Sequence, residues 1–177
     1  MPPGEVLEFW FGRDAKTWFG KDPQFDADIR SRFLPLYERA AAGELAGWKQ
    51  APGSCLALVI ALDQFPRNMF RGTARAFAAD ALALEAGCTI VARGWDRNFS
   101  IDERTFAYLP FEHSESLEDQ NRSCELMRPL GEETYRYAVR HREIIERFGR
   151  FPHRNAVLGR ESTPEELEFL SQPGSSF

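Results

Sequence analysis

The sequence predicts an all-α protein, and three observations lead to this fold class. Apolar side chains recur at helical spacing in the long segments, helix-start signals precede several of them, and no segment is left that is typical of a strand. About nine helices are expected. They lie near residues 5–11, 23–41, 43–50, 55–65, 73–95, 101–113, 117–128, 132–148 and 164–171.

Helix-start signals mark three of these elements. Asp22 followed by Pro23 is typical of a helix that begins with a capping side chain and a proline in its first turn. The sequence Ser-Ile-Asp-Glu at 100–103 is a capping box, and Thr-Pro-Glu-Glu at 163–166 is another. Pro35 is expected to kink or break the helix that follows Asp22, because its ring removes one helical hydrogen bond.

The central part of the chain is rich in alanine and leucine. The stretch CLALVIALDQF, residues 55–65, could form a buried strand, but a helix is favoured because Ala and Leu outnumber its β-branched residues and its neighbours are helical. A long amphipathic helix is predicted at 73–95, where many alanines allow close approach of a neighbouring helix. Its predicted apolar stripe consists of Phe77, Ala81, Leu84, Cys88, Val91 and Trp95.

The segment 132–148 carries a second helical stripe. Its apolar side contains Tyr137, Ala138, His141, Ile144, Ile145 and Phe148. His141 is therefore expected to face inward, either as a core residue with a hydrogen-bond partner or as a general acid or base in a polar cavity. Asp80, at the edge of the alanine-rich helix, also needs a partner, such as Arg67 or Arg71.

Length and composition favour a single domain spanning residues 1–177. Hydrophobic residues make up 43% of the chain and charged residues 28%, which is typical of globular proteins. Only the tail 172–177 is expected to be loosely ordered. Cys55, Cys88 and Cys124 are odd in number and far apart, so we expect reduced core thiols rather than disulfides.

Charge and hydropathy exclude several classes of function. The net charge of −5 argues against a nucleic-acid partner, which requires clustered Lys and Arg. The longest apolar run, CLALVIAL, has eight residues, whereas a membrane-spanning helix needs about 20. The first residues, MPPGEVLEFWFG, do not resemble a secretory signal, so a cytoplasmic location is expected.

Two stretches of the chain share the same sequence pattern. DQFPRNMFRGT at 63–73 is echoed by FGRFPHRNAVLGREST at 148–163, and each is expected to connect two helices because proline ends a helix. In the simpler interpretation, their arginines satisfy nearby carbonyl groups or carboxylates. In the functional interpretation, the intervening helices alternate in direction, so that the loops at 66–72, 114–116 and 149–163 meet at the same end of the helical array.

That shared end would gather basic and polar side chains. The candidate ligand-binding residues are Arg67, Asn68, Arg71, His113, Glu115, His141, His153, Arg154 and Asn155. Guanidinium groups bind two oxygens of a phosphate or carboxylate at once, and the helix that begins near Thr73 would point backbone N–H groups to the same end. The set predicts a site for an anion.

Signatures of other chemistries are incomplete. His113-Ser114-Glu115 matches one half of a zinc deaminase motif, but the cysteine half is missing. The three histidines lack the i, i+4 spacing of helical metal sites. No Walker loop, dinucleotide fingerprint or nucleophile elbow occurs. We therefore predict neither a metal nor a cofactor, and the sequence assigns no catalytic residue.

Three blocks of the sequence together resemble a known family. LDQFPRNMFRG, YLPFEHSE and HREIIERFGRFPHRNAVLGRESTPEELEFL are similar to the signature blocks of the bacterial domain-of-unknown-function family 924, and the similarity covers most of the chain. The resemblance implies an all-α fold like that of the tetratricopeptide-repeat superfamily, in which antiparallel helix pairs stack into an array. It implies no activity, substrate or cofactor. The 34-residue repeat of a true tetratricopeptide array is not found.

Two functional hypotheses follow from the residues. The leading one is a helical binding or interaction module with an Arg/His-lined pocket for a small anion or an acidic peptide segment. The alternative is a hydrolase or transferase acting on a small anionic metabolite, with His113 or His141 as acid or base and Arg67 and Arg154 holding the anion. Neither hypothesis involves nucleic acid or a membrane, and the oligomeric state stays open.

Overall fold

The computed structural model describes residues 1–176, and every regular element in that range is helical. The predicted all-α class is confirmed, and so is the number of nine helices within the described residues. The helices are α1 (Pro3–Phe11), α2 (Ala15–Trp18), α3 (Pro23–Ala41), α4 (the consecutive segments Pro52–Val59, Ile60–Gln64 and Phe65–Met69), α5 (Asp80–Ala92), α6 (Ile101–Glu112), α7 (Leu117–Met127), α8 (Glu132–Phe148) and α9 (Pro164–Leu170).

The predicted helix starts are confirmed by their hydrogen bonds. The Asp22 carboxylate accepts from the first backbone N–H groups of α3. Ser100 and Glu103 form a reciprocal capping box, as do Thr163 and Glu166. Pro35 lies inside α3, which continues to Ala41. Of the predicted kink or break at Pro35, the break is wrong, because buried side chains along the whole helix hold it in place.

Two predicted helices differ from the structure. The segment expected at 43–50 contains only a short 3₁₀ helix, Ala46–Gln50, and α2 was not expected. The long helix expected at 73–95 begins only at Asp80. Its predicted stripe is also wrong, because the buried positions are the small residues Ala79, Ala83, Ala86 and Gly87 together with Ile90. Small side chains let α5 pack closely against the first segment of α4.

Helix α4 contains a π-helical turn at Ile60–Gln64. The prediction of a helix over CLALVIALDQF is confirmed, but the helix continues past Pro66 to Met69 instead of ending. The wide turn directly before Pro66 accommodates a residue that cannot donate a backbone hydrogen bond. Arg67 and Asn68 consequently lie on a helix, and the prediction that they lie in a loop is wrong.

The chain divides into two compact units. The first unit comprises Met1–Arg71 and Arg75–Pro110, and its core is rich in aromatic rings. The rings of Phe33 and Phe65 lie 4.6 Å apart, and that of Trp10 lies 5.4 Å from Phe106. These contacts connect α1, α3, α4 and α6 within the first unit.

The second unit comprises Gly72–Ala74 and the described chain from Phe111 onward. In it α7 packs against α8, and the buried side chains Ile144, Ile145 and Phe151 form a core with Phe148 and Phe169. Phe177, the last residue of the tail predicted to be loose, lies outside the described residues. That the two units behave as one domain stays a prediction.

The cysteines are thiols, but they do not share one environment. Cys55 and Cys124 are buried as expected, whereas Cys88 is exposed, so the prediction of a core thiol is wrong for Cys88. The buried face of α5 is formed by its small residues, which turns Cys88 outward. Within residues 1–176, no helix has both the length and the apolar character needed to cross a membrane.

Candidate functional site

The predicted site residues are divided between the two units. Arg67, Asn68 and Arg71 belong to the first unit, and the other candidates belong to the second. Those of the second unit are His113, Glu115, His141, His153, Arg154 and Asn155. The expectation that all of them share one site stays a prediction, and each set is described by itself.

Arg67 is held by two carboxylates of the first unit. Its guanidinium donates to both oxygens of Asp80, at 2.8 and 3.0 Å. It also lies 3.1 Å from Oδ1 of Asp63, which is fully buried in the π-helical turn and accepts a second hydrogen bond from Gln64. The prediction that Asp80 has an arginine partner is confirmed.

The positive charge of Arg67 is compensated by the carboxylates of Asp63 and Asp80. Burial alone would lower the pKa of Arg67, but the negative charges of Asp63 and Asp80 outweigh burial and raise it. The guanidinium is therefore permanently charged, and its donors are directed to protein oxygens. Because the Arg67 guanidinium is already paired with two carboxylates, it has few hydrogen-bond donors left for an incoming anion.

Asn68 and Arg71 both bind Asp26, which lies on α3. The Asn68 amide donates to Oδ1 of Asp26 at 2.8 Å, and Arg71 donates to both carboxylate oxygens at 2.9 Å. These contacts join the end of α4 to the start of α3. In the first unit, the arginines of the repeated Arg-Asn pattern therefore pair with nearby carboxylates, as the simpler interpretation of the sequence predicts.

In the second unit, three basic side chains contact the buried ring of Phe151, and a fourth, His113, lies against one of them. We call His113, His141, His153 and Arg154 the histidine cluster. The ring centroid of Phe151 lies 5.7 Å from that of His141 and 5.6 Å from that of His153. The Arg154 guanidinium lies 4.5 Å from the same centroid, and the rings of His113 and His141 are 6.4 Å apart.

His141 has a defined tautomer. The predicted inward orientation is confirmed, since the residue is only 5% exposed. Its Nδ1 lies 2.9 Å from the carbonyl oxygen of Tyr137 and 3.1 Å from Oε1 of Glu112. A carbonyl oxygen can only accept a hydrogen bond, so Nδ1 carries the proton and Nε2 is the basic nitrogen.

The surroundings of His141 oppose a positive charge on it. Burial is the largest cause and holds the pKa of His141 far below its ordinary value, at about 3. The hydrogen bond to Tyr137 acts in the opposite direction, whereas positive charge on His113, His153 and Arg154 lowers the pKa further. His141 is therefore neutral near pH 7.

Two buried residues near the cluster were missed from the sequence. Glu112 is 4% exposed and contacts His141, and it directly precedes His113 in the quoted block YLPFEHSE. Gln120 is fully buried, and its amide donates to the carbonyl oxygens of Glu112 and Ser114 at 2.6 and 2.7 Å. Gln120 thereby fixes the turn that carries His113, and no spacing in the sequence signals this contact.

Arg154 connects the two chain segments that form the cluster. It is 6% exposed, and its Nη2 donates to the carbonyl oxygen of His113 at 3.0 Å. His153 and Arg154 lie on the short 3₁₀ helix Pro152–Arg154, which directly follows Phe151. The second Phe-Pro pair, Phe151 and Pro152, thus lies at the start of a helical turn.

Glu115 and Arg160 brace the peptide groups of Phe151. Glu115 accepts from the backbone N–H of Phe151 at 2.8 Å, and Arg160 donates to the carbonyl oxygen of Phe151 at 3.0 Å. The two side chains also form a two-point ion pair, at 2.7 and 2.9 Å. Burial would raise the pKa of Glu115, but the hydrogen bonds from Arg160 and Phe151 outweigh it and lower the pKa.

Asn155 continues the hydrogen-bond network of Glu115 and Arg160 away from the cluster. Its side-chain oxygen accepts from Arg160 at 2.9 Å, and its amide nitrogen donates to Ser162 and Glu166. Glu166 in turn pairs with Arg150 through two hydrogen bonds of 2.7 and 2.8 Å. Glu115 and Asn155 were predicted as ligand contacts, and their visible role is to position the 151–163 segment.

Other possible sites in the described residues are weakly supported. Residues 1–176 contain no group of three or more His, Cys, Asp and Glu side chains that could hold a metal ion. A shallow depression in the first unit is lined mainly by apolar residues, including Leu45, Leu58 and Leu62, and none of the predicted site residues lines it. The histidine cluster is the best-defined candidate.

Comparisons with known proteins identify relatives without assigning a function. A family model described as bacterial protein of unknown function (DUF924) matches residues 6–174. The chain is also similar to the solved structure of a protein of unknown function from Agrobacterium tumefaciens. The two share 46% sequence identity and a TM-score of 0.92, with 95% of this chain and 96% of that chain covered. No curated protein matches.

Proposed function

Since this chain belongs to the bacterial protein family of unknown function DUF924, we propose a function from its own side chains: it binds a small anion, or an acidic side chain of a peptide segment, at the histidine cluster. The fold implied by the family resemblance is all-α, as found. The tetratricopeptide-like stacking of its helix pairs and its cytoplasmic location stay predictions.

The observation that carries the proposal is that all three histidines of the chain lie together with a buried arginine: His141, His153 and Arg154 contact the Phe151 ring, and His113 lies against His141. His113, His141 and His153 are the only histidines in the sequence, and each has a ring contact within the cluster. Burying several groups that can become cations is unfavourable unless negative charge offsets them. Glu112 supplies one negative charge next to His141, and an anion would supply more.

The chemistry of the four side chains suits an oxyanion. A guanidinium presents its donors in a plane that matches the oxygens of a carboxylate, phosphate or sulfate, and an imidazole adds one directed donor. His113 and His153 are partly exposed, so a ligand can reach the cluster from solvent. Glu112 is the acidic side chain that contacts His141, and it orients the imidazole.

In this proposal, the residues that contact the anion all belong to the second unit. Arg67 and Arg71 were expected to share the pocket, but each of them pairs with aspartates of the first unit. Arg71→Ala tests this limit directly. Retention of the ligand response in Arg71→Ala would support a site confined to the cluster, whereas its loss would restore the predicted shared pocket.

The test is thermal unfolding of the full chain with and without sulfate. A ligand that binds only the folded state stabilises it by about 2.7 kcal/mol at about 100 times Kd. We expect sulfate to raise the melting temperature of the wild-type chain, and Arg154→Lys to reduce the response because lysine lacks the planar fork. Arg122→Ala is the matched control, since Arg122 pairs with Glu125 on an exposed surface and should leave the response intact.

The enzyme alternative is favoured by one specific contact. The pair Glu112 and His141, with Oε1 3.1 Å from Nδ1, has the arrangement in which a carboxylate orients an imidazole for proton transfer. This observation selects His141 over His113 as the acid or base. Hydrolysis of simple phosphate or carboxylate esters by the wild-type chain, abolished in His141→Gln, would support the alternative. Anion binding without turnover would support the binding module.

A further inference from the structure

We propose that the anion enters the histidine cluster together with one proton, which His141 takes up at Nε2. This inference rests on the proposed anion site and specifies how that site responds to pH. The proton comes from solvent water or buffer, and no bond in the anion is formed or broken. The site would then bind an anion and a proton as a neutralising pair.

The position of the added proton follows from the contacts of His141. Its Nδ1 proton is already directed to the Tyr137 carbonyl oxygen and to Glu112. Nε2 is therefore the only ring nitrogen that can accept a further proton. Once His141 is protonated, Glu112 faces an imidazolium at 3.1 Å, so its carboxylate stabilises the charged form.

The other groups around His141 explain why the proton should arrive with the anion and not before it. Positive charge on His113, His153 and Arg154, together with burial, opposes protonation in the ligand-free chain. An anion between these groups reverses the sign of the local field, because it is attracted to every one of them. Anion binding and protonation of His141 therefore favour each other, and the coupling is reciprocal.

Several charged and titratable groups lie on the elements packed against α8 and on the segments next to them. The buried face of α7 presents Gln120, Ser123, Cys124 and Met127, of which only the Cys124 thiol titrates, and burial raises its pKa. Arg128, in the turn before α8, donates to the Tyr135 hydroxyl. On α9, Glu166 is paired with Arg150. Glu115 is paired with Arg160 and also lies near Arg154. Glu112 is the carboxylate that contacts the His141 ring, at 3.1 Å from Nδ1, and would stabilise its protonated form.

The experiment is imidazole nuclear magnetic resonance on the full chain, with sulfate as the probe. The chain has three histidines and all belong to the cluster, so every imidazole signal reports on this site. Sulfate itself takes up no proton near neutral pH. Over a pH titration we expect saturating sulfate to raise the pH at which one imidazole, assigned to His141 by its loss in His141→Gln, changes between the neutral and the protonated ¹⁵N pattern.

Calorimetry in two buffers of different ionisation enthalpy gives the second measurement. At a pH between the His141 pKa of the free chain, about 3, and that of the sulfate complex, we expect an uptake of about one proton per sulfate. Over that range the sulfate affinity should fall about tenfold per pH unit, and it should level off above the pKa of the complex. In Glu112→Gln the proton uptake should decrease. Sulfate binding without proton uptake would overturn this inference and leave anion binding intact. Sulfate also stabilises folded proteins non-specifically. An equal rise of the melting temperature in the wild-type chain and in Arg154→Lys, with no response of the imidazoles, would overturn both.

Discussion

Nδ1 of His141 lies 3.1 Å from Oε1 of Glu112, and both side chains are buried. The same nitrogen lies 2.9 Å from the carbonyl oxygen of Tyr137. The folded chain therefore holds a neutral imidazole whose single proton is directed to two oxygen acceptors. This arrangement makes the stability of the fold dependent on pH.

The free energy of unfolding should decrease when the pH falls below about 6.5. His141 has its ordinary pKa near 6.5 in the unfolded chain and a pKa of about 3 when folded. Between these values the unfolded chain binds more protons, so stability is fully present above pH 6.5 and is lost towards pH 3. The maximum slope from one such group is about 1.4 kcal/mol per pH unit.

Urea unfolding at a series of pH values measures this slope. His141→Gln keeps an amide that can donate to the Tyr137 carbonyl but does not titrate, so its slope should be smaller than that of the wild-type chain between pH 4 and 6. Acidic groups elsewhere contribute equally to both proteins. Equal slopes in the two proteins would contradict the buried neutral imidazole.

Arg67 should be important for stability. Its removal leaves Asp63, which is fully buried, without the guanidinium that lies 3.1 Å away. Breaking a buried ion pair on one side is strongly destabilising, and we expect Arg67→Ala to cost about 3 kcal/mol. Urea unfolding provides the measurement.

Two variants make the result on Arg67 specific. Arg122→Ala removes an exposed arginine whose partner Glu125 is also exposed, and it should cost less than about 1 kcal/mol. Arg67→Lys keeps the charge but cannot reach both oxygens of Asp80, so its cost should lie between the other two. A loss in Arg67→Ala as small as that in Arg122→Ala would mean that Asp63 is not stabilised by this contact.

The sequence was sufficient for local signals and for strongly periodic helices. The capping side chains Asp22, Ser100 and Thr163 mark their helix starts because the contacts span only three residues. His141 was placed inward because α8 has polar and apolar sides that differ clearly. In these cases neighbouring residues along the chain determine the structure.

The sequence was insufficient where packing between distant residues decides. On α5 large apolar residues were expected inside, but close helix packing selects Ala83, Ala86 and Gly87 instead. The π-helical turn has no compositional signal, so the helical position of Arg67 was missed. Glu112 could not be assigned as the partner of His141, because the two residues meet only after α6, α7 and α8 have folded.

Cys88 should be the thiol that reacts in the folded protein. It is exposed on α5, whereas Cys55 and Cys124 are buried. Burial also raises the pKa of Cys55 to about 11, which leaves almost no thiolate at pH 8. A disulfide reagent should therefore modify one thiol rapidly in native buffer and three after unfolding. In Cys88→Ser no rapid reaction should remain, and a rapid second thiol would show that a buried cysteine is accessible.

The brace of Glu115 and Arg160 should control anion binding without contacting the anion. Both side chains hold the Phe151 peptide groups, and the Phe151 ring contacts His141, His153 and Arg154. Glu115→Gln and Arg160→Lys should each weaken sulfate binding, because the ring that organises the cluster is no longer fixed. Since the two residues hold one peptide, the double change should cost less than the sum of the single changes.

Calorimetry with sulfate separates positioning from plain stability. The four proteins of the cycle are compared well below their melting temperatures, so that each is fully folded during the titration. A positioning role predicts weaker sulfate binding with the proton uptake per sulfate unchanged, because His141 and Arg154 are still present. If the variants melt at lower temperature but bind sulfate as the wild-type chain does, Glu115 and Arg160 stabilise the 151–163 segment only, and the cluster forms without them.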